Sequence, residues 1–326
     1  MPGQTATLAL SPDSSEQLRL FDLGPDVAAL RASATHLSTA CRAENTERAY
    51  AADWRDFARF CETVGRAPLP ASEDTLCVYV ASSLKRLKVS TVQRRLHAVE
   101  DAHKRAGVAW RGSVALDDVM RGARRVHGTA SNGAAALQVE DLRKMCRALL
   151  ALKSRTGVRD RAILCVGFSA GMRRSDIVAL DLKDVHFVKK GLLLQIKRGK
   201  TDQEGKGRQI GVFPGRRVAT CPVRALKAWI ALRGREAGPL FPGHNGKHLT
   251  DRSVGNIVKN AVRLAKLQGK RLSPHSLRAG FVTTAAQAGT QETVIMQTTG
   301  HRSVQTVARY VRPARLFAKN ALAKAL

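Results

Sequence analysis

Four short stretches carry side chains suited to one piece of chemistry. His275 and Arg278 lie three apart after Pro274, a spacing that puts both on one helix face where they can point at one ligand. Arg173 and Arg174 follow an apolar segment and Gly171, and are either a solvated helix start or an anion clamp. His301 follows Gly300, and Tyr310, one of three tyrosines, lies nine residues on. Each taken alone is ordinary: an H-x-x-R is common, and a lone tyrosine is usually packing. Together they fit cleavage of a phosphodiester by an attacking oxygen. Guanidinium groups neutralise charge on the non-bridging oxygens, in planar, bidentate form. Imidazole supplies a hydrogen bond or a base. A phenol, with an ordinary pKa of about 10, needs neighbours that take its proton or stabilise the phenolate. The leaving sugar oxygen needs an acid.

The elements that must position these groups are mostly helical. Residues 1–24 lack periodicity and read as a loose tail. Residues 25–126 read as an all-helical domain. In it Asn45 caps a helix to about Thr63, with Tyr50, Trp54, Phe57 and Cys61 on one apolar face. Ser72, followed by Glu73 and Asp74, opens a second helix through Tyr79 to about Leu87. Ser90 and Gln93 form a capping box for a third, ending near Gly107, and a fourth runs from about Leu116 to Val126. Residues 127–136, small and polar, read as a linker.

Residues 137–326 read as a second, mostly helical domain with one small antiparallel sheet. Leu137–Leu152 and Val158–Ser169 are helical, and Asp184–Val188, Leu192–Ile196 and Gln209–Phe213 are strands joined by Lys189–Gly191 and a Gly-rich turn at Asp202–Gly207. Helices resume at Pro222, Thr250, Pro274, Thr290, Ser303 and about Ala314. The fold class is therefore mainly α.

Charge narrows the partner. The 326 residues carry 55 Lys and Arg against 26 Asp and Glu, a formal charge of +29. Residues 1–84 hold 7 basic and 11 acidic side chains, residues 85–135 hold 11 and 4, and residues 136–326 hold 37 and 11. A folded domain with that excess points to nucleic acid and away from a metabolic enzyme of neutral substrates. A hydrophobic share of 44% excludes a disordered basic tail. No apolar run reaches the length of a membrane span, and the acidic N-terminal stretch does not read as a signal peptide, so a cytoplasmic, DNA-associated chain is expected. Cys41, Cys61, Cys77, Cys146, Cys165 and Cys221 form no C-x-x-C pair and read as reduced thiols. His244 and His248 sit in a Gly/Pro/Asn-rich loop without acidic or cysteine neighbours, so no metal site is expected there.

The ordered series Gly171-Met172-Arg173-Arg174-Ser175-Asp176, Gly199-Lys200-Thr201-Asp202, His275-Ser276-Leu277-Arg278, Gly300-His301 and Tyr310 resembles the motifs of the tyrosine recombinase (phage integrase) family. The resemblance covers the second domain. It extends more weakly to Ser90–Leu96, which is similar to a DNA-contacting helix of the family's core-binding domain. It implies that Arg173 and Arg278 clamp the scissile phosphate and Tyr310 attacks it, leaving a 3′-phosphotyrosine and a free 5′-hydroxyl. Lys200 would be the general acid, with Lys197 and Lys206 as neighbours in sequence. His275 would take the phenol proton, His301 would bond a phosphate oxygen, and Asp176 would orient the site.

The resemblance further implies four protomers on two double-stranded DNA sites, exchanging strands through a Holliday junction. Leu316, Phe317, Leu322 and Leu326 would form a helix docking into a neighbouring protomer, with Pro313 redirecting the chain before it. The two domains would clamp duplex DNA. Arg48, Arg94, Arg95, Arg252, Asn256 and Lys259 are candidates for groove or phosphate contacts. Because the covalent link conserves bond energy, no cofactor is expected; a phosphate-binding loop and a carboxylate cluster for metal ions are both missing from the sequence. The net charge favours monomers without DNA and assembly on it. The alternative is a type IB topoisomerase-like enzyme that cleaves and religates without exchange.

Overall fold

The computed structural model describes residues 27–39, 44–110, 113–129, 135–197 and 207–314. The tail 1–24, most of the linker's centre, Lys200 and Lys206, and the segment with Leu316, Phe317, Leu322 and Leu326 lie outside the described residues. The chain divides into two compact units, residues 1–131 and 132–326.

In the first unit the described elements are α1 (Val27–Thr39), α2 (Glu44–Thr63), α3 (Glu73–Leu84), α4 (Val89–Arg105) and α5 (Val114–His127). Phe57, Cys61, Leu76, Tyr79, Val80, Val92, Leu96, Val99, Leu116 and Met120 make one core. Local chemistry sets the helix starts: Ser72 Oγ accepts from Thr75 N and Ser113 Oγ from Leu116 N. Two expected caps are corrected. Asn45 lies inside α2, where its side chain accepts from Arg48 (2.8 Å). α4 starts at Val89 with Lys88 as its cap residue, so Ser90 is inside the first turn and Gln93 instead accepts from Arg124 (2.9 Å).

The second unit runs α6 (Val139–Ala151), α7 (Arg155–Ser169), α8 (Arg174–Val178), β1 (Val185–Val188), β2 (Gly191–Ile196), β3 (Arg208–Val212), α9 (Pro222–Arg233), α10 (Asp251–Leu264), α11 (Pro274–Gln287), α12 (Glu292–Thr299) and α13 (Val304–Ala314). The sheet is antiparallel in the order β1-β2-β3, with Val185 opposite Leu194 and Ile196 opposite Arg208. α7 is the centre of the main core: Ala162 through Val166 are fully buried among α6, α9 and α11. A second, smaller core of Val282, Ala286, Ile295, Val307 and Val311 joins α11, α12 and α13. α13 runs through Pro313 to Ala314, so the chain is not redirected at that proline within the described residues. No helix among the described residues is long and apolar enough to cross a membrane.

Candidate active site

α11 is held at its start by Pro274 in the first turn and by Ser276 Oγ, which accepts from Ser273 N (2.9 Å). One turn in, Arg278 is 2% exposed, and its Nη1 donates to Gly171 O (2.8 Å) and Thr299 O (2.6 Å). Gly171 makes this approach possible. Its φ of +56° is left-handed, and a Cβ there would come within 2.7 Å of Phe281 and 2.8 Å of Thr299. Burial, and then the charge of Arg173, lower the Arg278 pKa to about 9, so the group stays cationic at neutral pH.

Arg173 is the cap residue of α8. Its backbone N–H donates to Asp176 Oδ2 (3.4 Å) and its Nη2 to Gly300 O (3.3 Å). Asp176 is fully buried and pairs with Arg208 Nη2 at 2.9 Å. Arg208 is thus the guanidinium that bonds this carboxylate, while the guanidiniums of Arg173 and Arg278 bond main-chain carbonyls and feel its charge. Buried polar atoms without a partner remain on all of them: Arg173 Nη1, Arg278 Nη2, Arg208 Nε and Asp176 Oδ1. Buried donors are normally satisfied, and unsatisfied cationic N–H groups gathered at one place suit an incoming anion.

α13 brings Tyr310 to this cluster. Val307 and Val311, either side of it on the helix, pack into the small core against α11. The phenol oxygen is 2.6 Å from His275 Nε2. Burial, then Arg278 and Arg173, push the His275 pKa below its usual 6.5, leaving a neutral imidazole able to accept a proton. His301 Nδ1 is 2.7 Å from Thr299 Oγ1, which itself donates to Ile295 O (2.6 Å). With the hydroxyl proton committed to that carbonyl, Nδ1 carries the imidazole proton toward Thr299. Burial and four cationic or ring neighbours, Arg278 first, lower the His301 pKa to about 3.

Arg173, Asp176, His275, Arg278, His301 and Tyr310 are thus brought together within one chain, and Lys200 lies outside the described residues. Lys197 is held by Asp181 and Asp184, each at 2.9 Å, which raises its pKa and keeps its proton. Sequence reading does not single out Arg208. It lies just past the Gly-rich turn among other basic residues, and only the fold reveals Asp176 as its partner.

Of the candidate DNA contacts, Arg252, Asn256 and Lys259 are exposed at helical spacing on one face of α10. Arg48 is exposed on α2. Arg94 is half-exposed and paired with Asp53 at 3.0 Å. Arg95 is a correction: its side chain is 14% exposed and committed to Asp56, Asp53 and the Tyr79 hydroxyl, so it is a structural group. Among the described residues no group of three or more His, Cys, Asp or Glu is placed to hold a metal. His248 bonds Val178 O and Asp181.

Residues 135–315 match the phage integrase family. An integrase/recombinase XerD homologue of Selenomonas ruminantium is 35% identical over 291 residues, 86% of this chain and 85% of the relative. Tyrosine recombinase XerC of Pseudomonas aeruginosa is 31% identical over 155 residues, 47% of this chain and 46% of that protein. In fold, the chain is similar to the XerH site-specific recombinase bound to a palindromic difH substrate after cleavage, with a TM-score of 0.61, 20% identity, and 78% of this chain and 71% of that one covered. It is also similar to a lambda integrase tetramer bound to a Holliday junction, with a TM-score of 0.60, 13% identity, and 86% and 75% covered. These relatives favour recombination over the topoisomerase-like alternative. With its motifs, its fold and a relative matched over most of both lengths, the chain belongs to the phage integrase family of site-specific tyrosine recombinases.

Proposed function

We propose that this recombinase cleaves DNA with Tyr310 of the same chain that clamps the phosphate. The observation that carries the reading is the 2.6 Å contact between Tyr310 and His275 beside unpartnered N–H groups of Arg173 and Arg278. His275 takes the phenol proton as the phenolic oxygen bonds to phosphorus. Arg173 and Arg278 hold the non-bridging oxygens as their charge grows. The bond to the 5′ oxygen breaks, and that oxygen takes a proton from Lys200. The product is a 3′-phosphotyrosyl link, which a 5′-hydroxyl from the partner duplex reverses after exchange. The phosphate's own charge offsets the cationic field on His301, so that Nε2 takes a proton and donates it to one of the phosphate oxygens.

Residues 25–126 serve as the core-binding domain, 127–136 as the linker and 137–326 as the catalytic domain. Arg252, Asn256 and Lys259 contribute DNA contacts, with Arg48 and Arg94 as further phosphate contacts. Four chains assemble on two DNA sites, and the free chain is a monomer, because +29 per protomer is self-repulsive until DNA offsets it. Sedimentation with and without the DNA site checks that last step: a DNA-free tetramer at moderate salt contradicts it.

The test of the chemistry is Tyr310→Phe with a nicked suicide substrate that traps the covalent intermediate. DNA binding persists and the protein–DNA adduct disappears. An adduct formed at the normal rate by this variant refutes the assignment.

A further inference from the structure

We propose that Arg208 is a positioning residue of the phosphate clamp, acting through Asp176 and Gly300; the inference rests on the cleavage reading above. Arg208 opens β3, paired in register with Ile196 at the end of β2. Its side chain, 16% exposed, leaves the sheet and reaches two supports of Arg173. One support is Asp176, whose Oδ2 accepts from Arg208 Nη2 (2.9 Å) and from the Arg173 backbone (3.4 Å). The other is Gly300. A Cβ there would meet Arg208 Nη1 at 2.9 Å and Cζ at 3.2 Å, so the guanidinium lies directly on this residue. The Gly300 carbonyl in turn receives Arg173 Nη2, and His301 follows it in the chain.

Arg208 therefore contacts the carboxylate that fixes the Arg173 main chain and the residue that fixes the Arg173 side chain. A displacement of its guanidinium moves both. Its shape matters as much as its charge. A planar group fits flat on Gly300 while one edge donates to Asp176, and a lysine ammonium cannot do both. Its Nε is unpartnered, as are Arg173 Nη1 and Arg278 Nη2, so donors remain for an incoming anion with Asp176 in place.

The test compares single-turnover cleavage by the full chain on two suicide substrates. One has a normal scissile phosphate; the other has a methylphosphonate there, which lacks one non-bridging charge and depends less on the clamp. Arg208→Lys keeps the charge and loses the planar contact. The double variant Asp176→Asn/Arg208→Met removes the buried pair as a unit, so that no lone buried carboxylate prevents folding. On the phosphate, Arg208→Lys is expected to cleave about 10-fold slower and the double variant about 100-fold slower, magnitudes typical of small misplacements and lost electrostatic support. On the methylphosphonate, both deficits shrink to within about 3-fold, in parallel with that of Arg173→Lys. Equal slowing on both substrates overturns the proposal, because it signals a general structural or proton-transfer role. Unchanged cleavage of the phosphate by both variants also overturns it. Failure of the unaltered protein to form a Tyr310 adduct overturns the cleavage reading itself, and the role of Arg208 with it.

Discussion

Both units of this protein gather arginines, aspartates and a tyrosine, and they use them oppositely. In the first unit Arg86, Arg94 and Arg95 face Asp53 and Asp56, and Tyr79 donates its hydroxyl to Asp56 (3.0 Å). Burial pushes the Tyr79 pKa up to about 12, and the phenol is sealed in the core. In the second unit Asp176 is the one carboxylate that pairs with the cluster among the described residues, through Arg208, while Arg173 and Arg278 bond main-chain carbonyls; Tyr310 is only half-buried and faces a neutral imidazole. Composition barely separates the two clusters. Carboxylate supply does: where it nearly matches the guanidiniums, the result is a structural bolt. Where one described carboxylate serves the cluster, the proposed clamp keeps N–H groups for a phosphate, and the phenol meets a base in place of an acceptor that holds its proton.

This contrast can be broken most strongly at the arginines. Arg278→Ala should slow single-turnover cleavage by about a thousandfold, the scale of removing a main electrostatic stabiliser. Arg95→Met should instead lower thermal stability by about 2 kcal/mol, the scale of a lost charge-assisted hydrogen bond, because Asp53 keeps Arg94 and Asp56 keeps Arg86 and the Tyr79 hydroxyl; cleavage per folded molecule should be unchanged. Thermal melting beside suicide-substrate kinetics separates the two, and a specific cleavage defect in Arg95→Met would erase the distinction. Next in size, Lys200→Ala should slow cleavage by about 100-fold, within the range of general acid catalysis, and a 5′-bridging sulfur should restore most of the rate. No rescue would move the acid elsewhere. Lys197, held by two aspartates, is a poor replacement.

The smallest effect is the pH profile. His275 must be neutral to accept the phenol proton, so activity is lost as pH falls through its pKa. That pKa lies below 6.5, so the acid limb of kcat/KM, which reports the free protein, should also fall below 6.5. Replacing His275 by Gln should remove that limb.

Helix starts were legible in the sequence where one residue decides them, as at Ser72, Pro222, Thr250 and Pro274. They are hidden at Asn45 and Ser90, where a polar residue sits one position inside the helix and Asn45 and Gln93 accept from Arg48 and Arg124. The site was legible because its residues differ in kind from their surroundings: an H-x-x-R, a Gly-His and a rare tyrosine in a fixed order. What stayed hidden depends on partners far along the chain. Arg95 meets an aspartate 39 residues away, and Arg208 one 32 residues away. Local spacing carries no trace of such pairs, so one arginine looked available for DNA and the other looked like part of a basic run.

The proposed cleavage draws both the clamp and the nucleophile from one chain, since His275 and Tyr310 are hydrogen-bonded within it. The most direct measurement mixes Tyr310→Phe protein, which keeps the clamp, with Arg278→Ala protein, which keeps the phenol, and follows covalent adduct on a suicide substrate. No adduct above that of Arg278→Ala alone is expected. Adduct restored by mixing would show the tyrosine reaching into a neighbour's clamp and would contradict that proposal.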